Sequence, residues 1–355
     1  MKRRTVLSGA LGAAGAALAA PALAQGIREL TMVTSWPRGF PGLHDGAQSF
    51  ANRVTSASGG KLKVEVAAAG ELVEALEVFE AVSAGVADIY HSVDYYRVKE
   101  SLGFGYFGAV PFGMTANEMT AWIAWGDGQA LWDELSGHTG IKPLMAGSTG
   151  VQMGGWFTRE VTSIESYKGL KYRMPGLGGE VLTALGATVV GVAGGKINDA
   201  LRTGAVDAAE WIGPWADVAL GLHESAKYYY YPGFHEPGTT LTTGFNREVW
   251  DSLSAEHQSL VASAAAAENS SLLALFNARN AAALLEIVAT KKVELRRFDD
   301  ETLRKLHSVS KELLADRSSV DPLTSRIHSS YMAFSDSARG WTEIADHAYL
   351  NARSL

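Results

Sequence analysis

The sequence contains no cysteine among its 355 residues. A chain without thiols cannot use a cysteine nucleophile, a zinc–thiolate site or a cysteine-ligated iron–sulfur cluster. It also forms no disulfide, and a chain of this length does not need one because it can bury a sufficient core. Thiol chemistry is therefore excluded from the functions open to this protein.

Several catalytic motifs are missing as well. The sequence has no Gly-x-Ser-x-Gly elbow, no His-Glu-x-x-His helix and no phosphate-binding loop. The glycine cluster 176–179 lacks the spacing of a dinucleotide loop and is more typical of a turn. His235 is the one histidine inside the polar motifs described below, and a histidine base needs a nucleophile or acid within reach. We therefore expect that this protein is not an enzyme.

Positive charge is scarce. The formal net charge is −7, so a basic face for nucleic acid is not expected. After the first 25 residues, we expect no apolar run that would cross a bilayer. With 47% hydrophobic and 19% charged residues, the remainder has the composition of an ordinary globular protein.

The N-terminus combines a basic start with an apolar run, a pattern not expected in the rest of the chain. Residues 2–4 are basic, residues 5–20 are small and apolar, and Ala22-Leu23-Ala24 forms a small-x-small cleavage site. This pattern predicts a removable export signal over residues 1–24, and the pair Arg3-Arg4 favours the twin-arginine route over an ordinary secretory signal. We predict that the mature protein is periplasmic.

The remaining residues alternate between predicted helices and strands, which indicates an α/β fold with a mainly parallel sheet. One unit occurs twice: residues 77–90 and 196–211 each read as a helix, a glycine and then a strand containing an aspartate. We interpret this as two similar lobes, although a helix–glycine–strand unit is common enough to recur by chance. The predicted boundaries are 25–150 with part of 240–270 for the first lobe, 151–239 with part of the C-terminal helices for the second, and 252–355 for a long helix and helical tail.

Four short stretches combine polar residues with glycine and aromatic residues near predicted strand ends, where ligands of open α/β sheets bind. Arg173 precedes a Pro-Gly turn, and its guanidinium could bind a carboxylate through two parallel N–H groups or could simply lie at the surface. Gln152, Glu210 and Glu236 could hold a hard cation such as Na⁺ or Ca²⁺, or could be buried polar groups with structural partners.

These stretches resemble the solute-binding subunits of tripartite ATP-independent periplasmic (TRAP) transporters, the DctP-type family, and above all its 2-oxo-acid-binding TakP-like branch. The resemblance lies in residues 154–157, 173–182, 210–214 and 228–238, and it extends over nearly the whole mature chain. It implies a two-lobed periplasmic binding protein fold with hinge strands, a long connecting helix and a helical C-terminus. It also implies that the protein captures a small carboxylate and delivers it to TRAP membrane subunits.

The resemblance further implies the residues of the site. Arg173 corresponds to the arginine that pairs with the ligand carboxylate, and a metal ion bridges ligand and protein at Gln152, Glu210, Trp211 and Glu236, with Trp211 offering its backbone carbonyl. We expect the acid to contact Arg173, Gln152, Trp211, Tyr95 and Trp215. The pattern departs from the family at residues 192–196 and at 214–217, where the Trp215 indole leaves open the size of ligand side chain that fits.

Other functions remain open from the sequence alone. The ligand could be a C4-dicarboxylate or a larger oxo acid instead of a 2-oxo or 2-hydroxy monocarboxylic acid. The chain could be an exported enzyme, because the twin-arginine route often carries folded cofactor proteins, or a sensory module that presents its ligand to a receptor. The helical tail is a candidate surface for a homodimer.

Overall fold

The computed structural model describes residues 26–290 and 293–355, so the predicted export signal lies outside the described residues. The strands in chain order are β1 (Arg28–Thr34), β2 (Leu62–Ala67), β3 (Ile89–Ser92), β4 (Ile141–Gly150), β5 (Gly155–Phe157), β6 (Lys171–Arg173), β7 (Thr188–Val189), β8 (Ala208–Ala209), β9 (Tyr228–Tyr231), β10 (Thr239–Asn246) and β11 (Glu294–Arg297).

The helices begin and end as follows: α1 (His44–Ala57), α2 (Val78–Ser83), α3 (Gly103–Tyr106), α4 (Ala116–Trp125), α5 (Gly128–Gly137), α6 (Gly176–Ala184), α7 (Ile197–Arg202), α8 (Pro214–Ala219), α9 (Leu222–Ser225), α10 (Arg247–Asp251), α11 (Ala255–Thr290), α12 (Asp300–Arg317), α13 (Pro322–Thr342) and α14 (Ala348–Ala352). A short 3₁₀ turn at Asp94–Arg97 follows β3, and a π-helical turn at Glu343–His347 joins the last two helices.

The strands form two mixed sheets. The first has the order β2-β1-β3-β10-β4, and the second has the order β11-β9-β5-β8-β6-β7. The first sheet is parallel from β2 to β3, but β10 pairs antiparallel with both of its neighbours. In the second sheet, β5 pairs antiparallel with both of its neighbours, β8 and β9. Both sheets are therefore mixed and not mainly parallel as expected, because the chain leaves the first sheet along β4 and returns along β10 in the opposite direction.

The chain passes between the two sheets at two neighbouring places. Strand β4 belongs to the first sheet and leads directly into β5 of the second, and β9 of the second leads back through residues 232–238 into β10 of the first. Because β4 and β10 are antiparallel neighbours, both connections leave the same end of the first sheet. The sheets thus divide the chain near the predicted lobe boundaries, which themselves stay a prediction.

Helix α11 is one continuous helix of 36 residues. Its buried residues Leu272, Phe276 and Ile287 belong to a hydrophobic cluster that also contains residues of both sheets' flanking segments. Residues Ala255–Ala289 are long and apolar enough, by length and composition, to cross a membrane, which corrects the expectation that no such stretch follows the signal. This observation alone is weak support for a membrane span, because core helices of soluble proteins meet the same criterion.

The helical tail agrees with the sequence pattern in α12 and α13, which begin at Asp-capped first turns. Asp299 accepts a hydrogen bond from the Thr302 amide, and Asp321 accepts one from the Thr324 amide, as preferred N-cap residues do. The sequence pattern missed β11, which pairs in parallel with β9 at the edge of the second sheet. Its residues, Glu-Leu-Arg-Arg, continue a charged segment that reads as the end of a helix.

Candidate functional site

Arg173 and Glu210 lie side by side because β6 and β8 are parallel neighbours in register. Both strands end at this point, and the Glu210 amide donates to the Arg173 carbonyl at 3.2 Å. The Arg173 guanidinium forms a buried ion pair with the Glu210 carboxylate. Its Nη1 also donates to the Glu210 carbonyl at 2.9 Å, and its Nε donates to the Val192 carbonyl at 3.1 Å. Protein acceptors therefore fix the orientation of the guanidinium before any ligand arrives.

Gln152 and Glu236 meet because they lie on the two connections between the sheets. Gly150 at the end of β4 is paired with Thr239 at the start of β10. Two residues beyond this pair, the Gln152 amide donates to the Glu236 carbonyl at 3.1 Å. The Gln152 Nε2 then donates to the Glu236 Oε2 at 2.7 Å, and it lies 3.1 Å from Thr149 Oγ1. Antiparallel pairing thus converts a separation of 84 residues into a direct contact.

Several oxygen and nitrogen atoms at the centre of these four residues are buried without a hydrogen-bond partner in the described part of the chain. They are Gln152 Oε1, Glu210 Oε2 and both ring nitrogens of His235. Ligand atoms of Glu210, His235 and Glu236 all lie within 4.8 Å of one another. Buried polar atoms are normally paired, because an unpaired one loses its hydration without compensation. The two unpaired oxygen atoms, together with the Glu236 carboxylate, fit a cation with oxygen ligands, which is the donor set that Na⁺ and Ca²⁺ prefer.

The pKa values of the buried ionisable groups also favour a cation at this position. Burial raises the pKa of Glu210 to about 7, against the opposing charge of Arg173. Burial, with the nearby charge of Glu210, raises the pKa of Glu236 to about 7. Burial lowers the pKa of His235 to about 4, so the imidazole is neutral near pH 7. Two carboxylates that resist ionisation this strongly are stabilised as anions when a cation lies between them.

The aromatic residues enclose the charged groups from both sides. Trp211 follows Glu210, and its ring lies 5.3 Å from the Arg173 Cζ atom. Across the gap between the sheets, Trp36 and Phe40 contact Trp211 edge to face, with ring centroids 6.4 and 6.0 Å away. A Cβ atom on Gly194 would overlap the Trp211 indole, so glycine is needed where this ring packs. Gly194 lies in residues 192–196, where the sequence departs from the family pattern, and the glycine is kept there.

Two tyrosines of the 3₁₀ turn after β3 reach the site from the first sheet. The Tyr95 hydroxyl donates to the Glu236 Oε2 at 3.4 Å, which is a long hydrogen bond. The Tyr96 hydroxyl hydrogen-bonds the Arg173 guanidinium, and burial raises the pKa of Tyr96 to about 12. Both hydroxyls are therefore protonated at physiological pH. The Tyr95 hydroxyl donates to Glu236, and the Tyr96 hydroxyl accepts from Arg173, because a guanidinium has only donors.

Asp217 supports the loop that carries Trp211. Its Oδ1 accepts from the Ile212 and Gly213 amides at 3.0 and 3.1 Å. Its Oδ2 accepts from Trp156 Nε1 and from the Tyr229 hydroxyl at 2.8 and 2.7 Å. Because four donors converge on one buried carboxylate, the backbone directly after Trp211 is held in a single conformation.

The structure brings most of the expected residues together, and Trp215 packs against the hydrophobic cluster that also contains Trp211. Arg173, Gln152, Glu210, Trp211, Glu236 and Tyr95 lie around one centre. The Trp215 indole instead packs against Phe276 of α11, with ring centroids 5.4 Å apart, and the Trp215 amide donates to Asn280. Sequence reasoning missed Tyr96, Thr149 and Thr239, and it considered His235 only as a base. Only their positions one to three residues from expected site residues could have indicated them.

Residues 32–319 match the family model described as "Bacterial extracellular solute-binding protein, family 7". A monocarboxylate 2-oxoacid-binding periplasmic protein of Nostoc sp. is 37% identical over 325 residues, which are 91% of this chain and 88% of that protein.

Solved structures show the same architecture. A TRAP periplasmic solute-binding protein of Pseudoalteromonas atlantica with bound sodium and pyruvate is 34% identical, with a TM-score of 0.89 over 92% of this chain and 99% of its own. A TRAP solute-binding protein of Bordetella bronchiseptica, a dimer with calcium and picolinate in one of its sites, is 30% identical, with a TM-score of 0.90 over 93% of this chain and 99% of its own. These similarities confirm the predicted two-lobed fold.

Proposed function

Because the chain belongs to the family 7 bacterial extracellular solute-binding proteins, we propose that it is the periplasmic subunit of a TRAP transporter. We propose that it binds a small 2-oxo or 2-hydroxy monocarboxylic acid and delivers it to membrane subunits. The observation that carries this proposal is the fixed Arg173 guanidinium beside buried, unpartnered oxygen atoms of Gln152 and Glu210. The relative with sodium and pyruvate supports the choice of ligand.

In this proposal Arg173 binds the carboxylate of the acid. Its Nε and Nη1 already have protein acceptors, so the carboxylate approaches the guanidinium from the side of Nη2. A charge-assisted bond in a water-poor site is stronger and more directional than one at the surface. Arg173 thus determines where the acid sits, and the tyrosines close over it from the other lobe.

A cation would be held by Gln152, Glu210, Glu236 and the Trp211 carbonyl, and it would supply a positive charge to the second oxygen of the acid. The guanidinium offsets only one of the two carboxylates, so the ionised site has one net negative charge before the acid binds and two afterwards. Ca²⁺ would balance this charge fully, and Na⁺ would balance half of it. Both ions accept the carboxylate and amide oxygens that the site offers.

The cation and the acid should also favour the closed arrangement of the lobes. Arg173 and Glu210 belong to the second sheet, and Tyr95 and Tyr96 follow a strand of the first. A ligand that contacts both sets binds the closed form more tightly than the open form, and this difference shifts the population towards closure. Transporter subunits could then distinguish the loaded protein from the empty one by its shape.

The experiment is a titration of pyruvate into protein cleared of metal with a chelator, in buffer without Na⁺ and after addition of Na⁺ or Ca²⁺. We expect weak binding without either ion and tight binding with at least one of them. Pyruvate recovered unchanged, as followed by NMR, would support binding without turnover. Equal affinity with and without both ions would contradict the cation site, and absence of binding under all conditions would contradict the function.

We further propose that two copies associate through the C-terminal helices. Trp341, Ile344 and Tyr349, in and after α13, are 66–71% exposed, and only 17% of the apolar window of α11 is buried. Exposed apolar patches of this kind mark protein–protein contacts, and the Bordetella relative is a dimer. Light scattering should give twice the monomer mass, and Trp341→Asp with Ile344→Asp should give a monomer. A monomer at every concentration of the unchanged protein would exclude this dimer.

A further inference from the structure

The 3₁₀ turn Asp94–Arg97 carries both tyrosines that reach the site, and its own backbone holds it weakly. The Tyr96 amide donates to the Val93 carbonyl at 3.3 Å, and the Val98 amide donates to the Tyr95 carbonyl at 3.3 Å. Hydrogen bonds of this length are weak, and those of a 3₁₀ turn are also poorly aligned. The orientation of the two tyrosines therefore depends on contacts made by side chains.

The residue at each end of the turn is charged and buried. Asp94 and Arg97 both lie in the interior, where a charge is costly unless partners compensate for it. The Arg97 guanidinium lies over the Phe104 ring, 4.0 Å from its centroid, and its Nη2 donates to the Glu100 carboxylate at 2.6 Å. A cation–π contact and an ion pair thus anchor this end of the turn to the first lobe.

Asp94 anchors the other end of the turn to the core of the same lobe. Its Oδ2 accepts from the Nε1 of Trp132 in α5 at 2.6 Å, and its Oδ1 accepts from the Tyr90 hydroxyl of β3 at 3.1 Å. A hydrogen bond to a carboxylate is stronger than one between neutral groups. The position of the turn is therefore tied to the position of one indole.

Trp132 itself is fixed by the aromatic core of the first lobe. The Phe107 ring stacks on two buried indoles, Trp132 at a centroid distance of 5.1 Å and Trp122 at 5.2 Å. The N–H groups of these indoles have different partners, because Trp122 Nε1 donates to Ser330 Oγ of α13 at 3.1 Å. Trp132 thus connects the aromatic stack with the turn, and Trp122 connects it with the helical tail.

The two tyrosine rings have little freedom to compensate for a movement of the turn. A Cβ atom on Gly108 would lie 2.6 Å from the Cδ1 atom of Tyr95, so this ring already lies close against the backbone. The rings of Tyr95 and Tyr96 also pack edge to face, with centroids 5.2 Å apart. A displacement of the turn is therefore passed on to both hydroxyls, one at Glu236 and the other at Arg173.

We propose, on the premise of the acid-binding function proposed above, that Asp94 and Trp132 are positioning residues of the acid site. Trp132 fixes the Asp94 carboxylate, Asp94 fixes the turn, and the turn holds the two tyrosine hydroxyls at the site. Asp217 has the corresponding place in the second lobe, where it holds the backbone after Trp211. Groups that are fixed beforehand lose less conformational freedom when the acid binds.

Trp132→Phe tests this proposal, because it keeps a ring on Phe107 and removes the N–H group that Asp94 accepts. Calorimetry with the cation present should show pyruvate affinity lowered roughly fivefold, since losing part of one charge-assisted hydrogen bond changes an equilibrium constant by this order. Trp122→Phe is the matched control: it removes an N–H group from the same stack and should leave pyruvate affinity unchanged. Thermal unfolding of both variants verifies that they fold.

The coupling between Trp132 and the tyrosines distinguishes positioning from packing. In a protein that carries Tyr95→Phe and Tyr96→Phe, the added Trp132→Phe should weaken pyruvate binding by less than about twofold, because the hydroxyls that it positions are already absent. Tyr90→Phe removes the other donor to Asp94 and should give the same loss and the same coupling. It replaces Trp132→Phe if that variant does not fold.

Equal pyruvate affinity in the unchanged protein and in folded Trp132→Phe would overturn the proposal and leave the proposed function intact. An equal loss in Trp122→Phe would do the same, and so would a loss that persists in full without the tyrosine hydroxyls. Absence of pyruvate binding in the unchanged protein would instead refute the proposed function.

Discussion

The two sheets of this protein contain the same local unit and use it for different purposes. Residues 81–90 and 200–209 show the same order of buried, half-buried and exposed positions. Each unit leaves its helix through a glycine in the left-handed region, Gly85 at φ +73° and Gly204 at φ +72°. A residue with a Cβ atom adopts this conformation only with strain, so glycine is favoured at both places.

The aspartates after these glycines make equivalent contacts. Asp88 accepts a hydrogen bond from the Thr31 amide of β1 at 2.7 Å, and Asp207 accepts one from the Lys171 amide of β6 at 2.9 Å. Each aspartate thus joins the start of one strand to its parallel neighbour. The ends of these strands, three residues further on, are where the two lobes differ.

In the first sheet, the Trp36 Nε1 donates to the His91 Nδ1 at 2.8 Å at the strand ends, and the buried Asp94 and Arg97 follow in the next turn. In the second, the corresponding positions hold the Arg173–Glu210 ion pair. The same scaffold therefore places an ion pair at the strand ends of one lobe and an aromatic pair at those of the other. An anion at the strand ends would find Arg173 in the second lobe, and the first lobe would contribute mainly to closure.

The largest effect is expected where this charge is removed. Arg173→Ala should weaken pyruvate binding by about 2–5 kcal/mol, because it leaves the acid and Glu210 without their cationic partner. Arg173→Lys should also bind poorly, since an ammonium cannot reproduce the planar guanidinium. Calorimetry at saturating cation measures both variants, with circular dichroism to verify folding.

The matched control is Arg326→Ala, which removes an exposed arginine paired with Glu134 on the far side of the first sheet's helices. It should bind pyruvate as the unchanged protein does. Unaltered affinity in both Arg173 variants would show that charge in the second lobe is not what recognises the acid.

A second effect, of up to a few kcal/mol in the free energy of unfolding, concerns the buried His91 in β3 of the first sheet. Burial lowers the pKa of His91 to about 3, so the folded protein keeps this ring neutral. The unfolded chain binds a proton near pH 6.5, and therefore the contribution of His91 to stability is complete above pH 6.5 and is lost as pH falls towards 3. The free energy of unfolding should decrease by about 1.4 kcal/mol per pH unit in this window.

Urea unfolding of His91→Asn at several pH values tests this expectation. The variant should lose less stability than the unchanged protein between pH 6.5 and 4, because asparagine does not titrate. His138→Asn, at the exposed end of α5, is the matched control. Parallel pH profiles for the unchanged protein and His91→Asn would contradict a neutral, buried His91.

The smallest expected effect concerns the two equivalent aspartates, and it distinguishes a role in the fold from a role in ligand binding. Asp88→Ala and Asp207→Ala each remove one side-chain hydrogen bond to a strand and should each cost about 0.5–1.5 kcal/mol of stability. Only Asp207→Ala should also weaken pyruvate binding, by a few-fold, because β6 and β8 end in Arg173 and Glu210. Thermal unfolding and calorimetry on both variants provide the comparison.

A result in which Asp88→Ala weakens binding as much as Asp207→Ala would mean that the two lobes contribute equally to holding the acid. A stability loss in only one variant would mean that the repeated unit is a similarity of sequence without equivalent energetics.

Much of the fold was readable from local pattern. The sequence pattern predicted the long helix and the helical tail, which correspond to α11, α12 and α13, and the glycines at two helix ends revealed the repeated unit. The pattern failed at β11, a strand of four residues at a sheet edge, because so short a strand is stabilised by its neighbour and not by its own sequence. It also failed on strand direction, which depends on where the chain re-enters a sheet.

The candidate site shows the same division between what the sequence predicts and what depends on tertiary packing. Arg173, Gln152, Glu210 and Glu236 could each be selected by residue type, strand-end position and family resemblance. Sequence did not reveal that Tyr96 faces Arg173 or that Trp215 turns towards α11, because side-chain direction in a turn depends on packing from distant segments.

By itself the sequence determined the kinds of group available: no thiol, an arginine at a predicted strand end, and carboxamide and carboxylate oxygens in three separate segments. Only the tertiary structure decided that these groups share one centre, because strand register sets which residues face each other across tens of residues of chain. It also decided that a valine-lined cavity opens beside Arg173, since a cavity is the space between two lobes and no single segment encodes it.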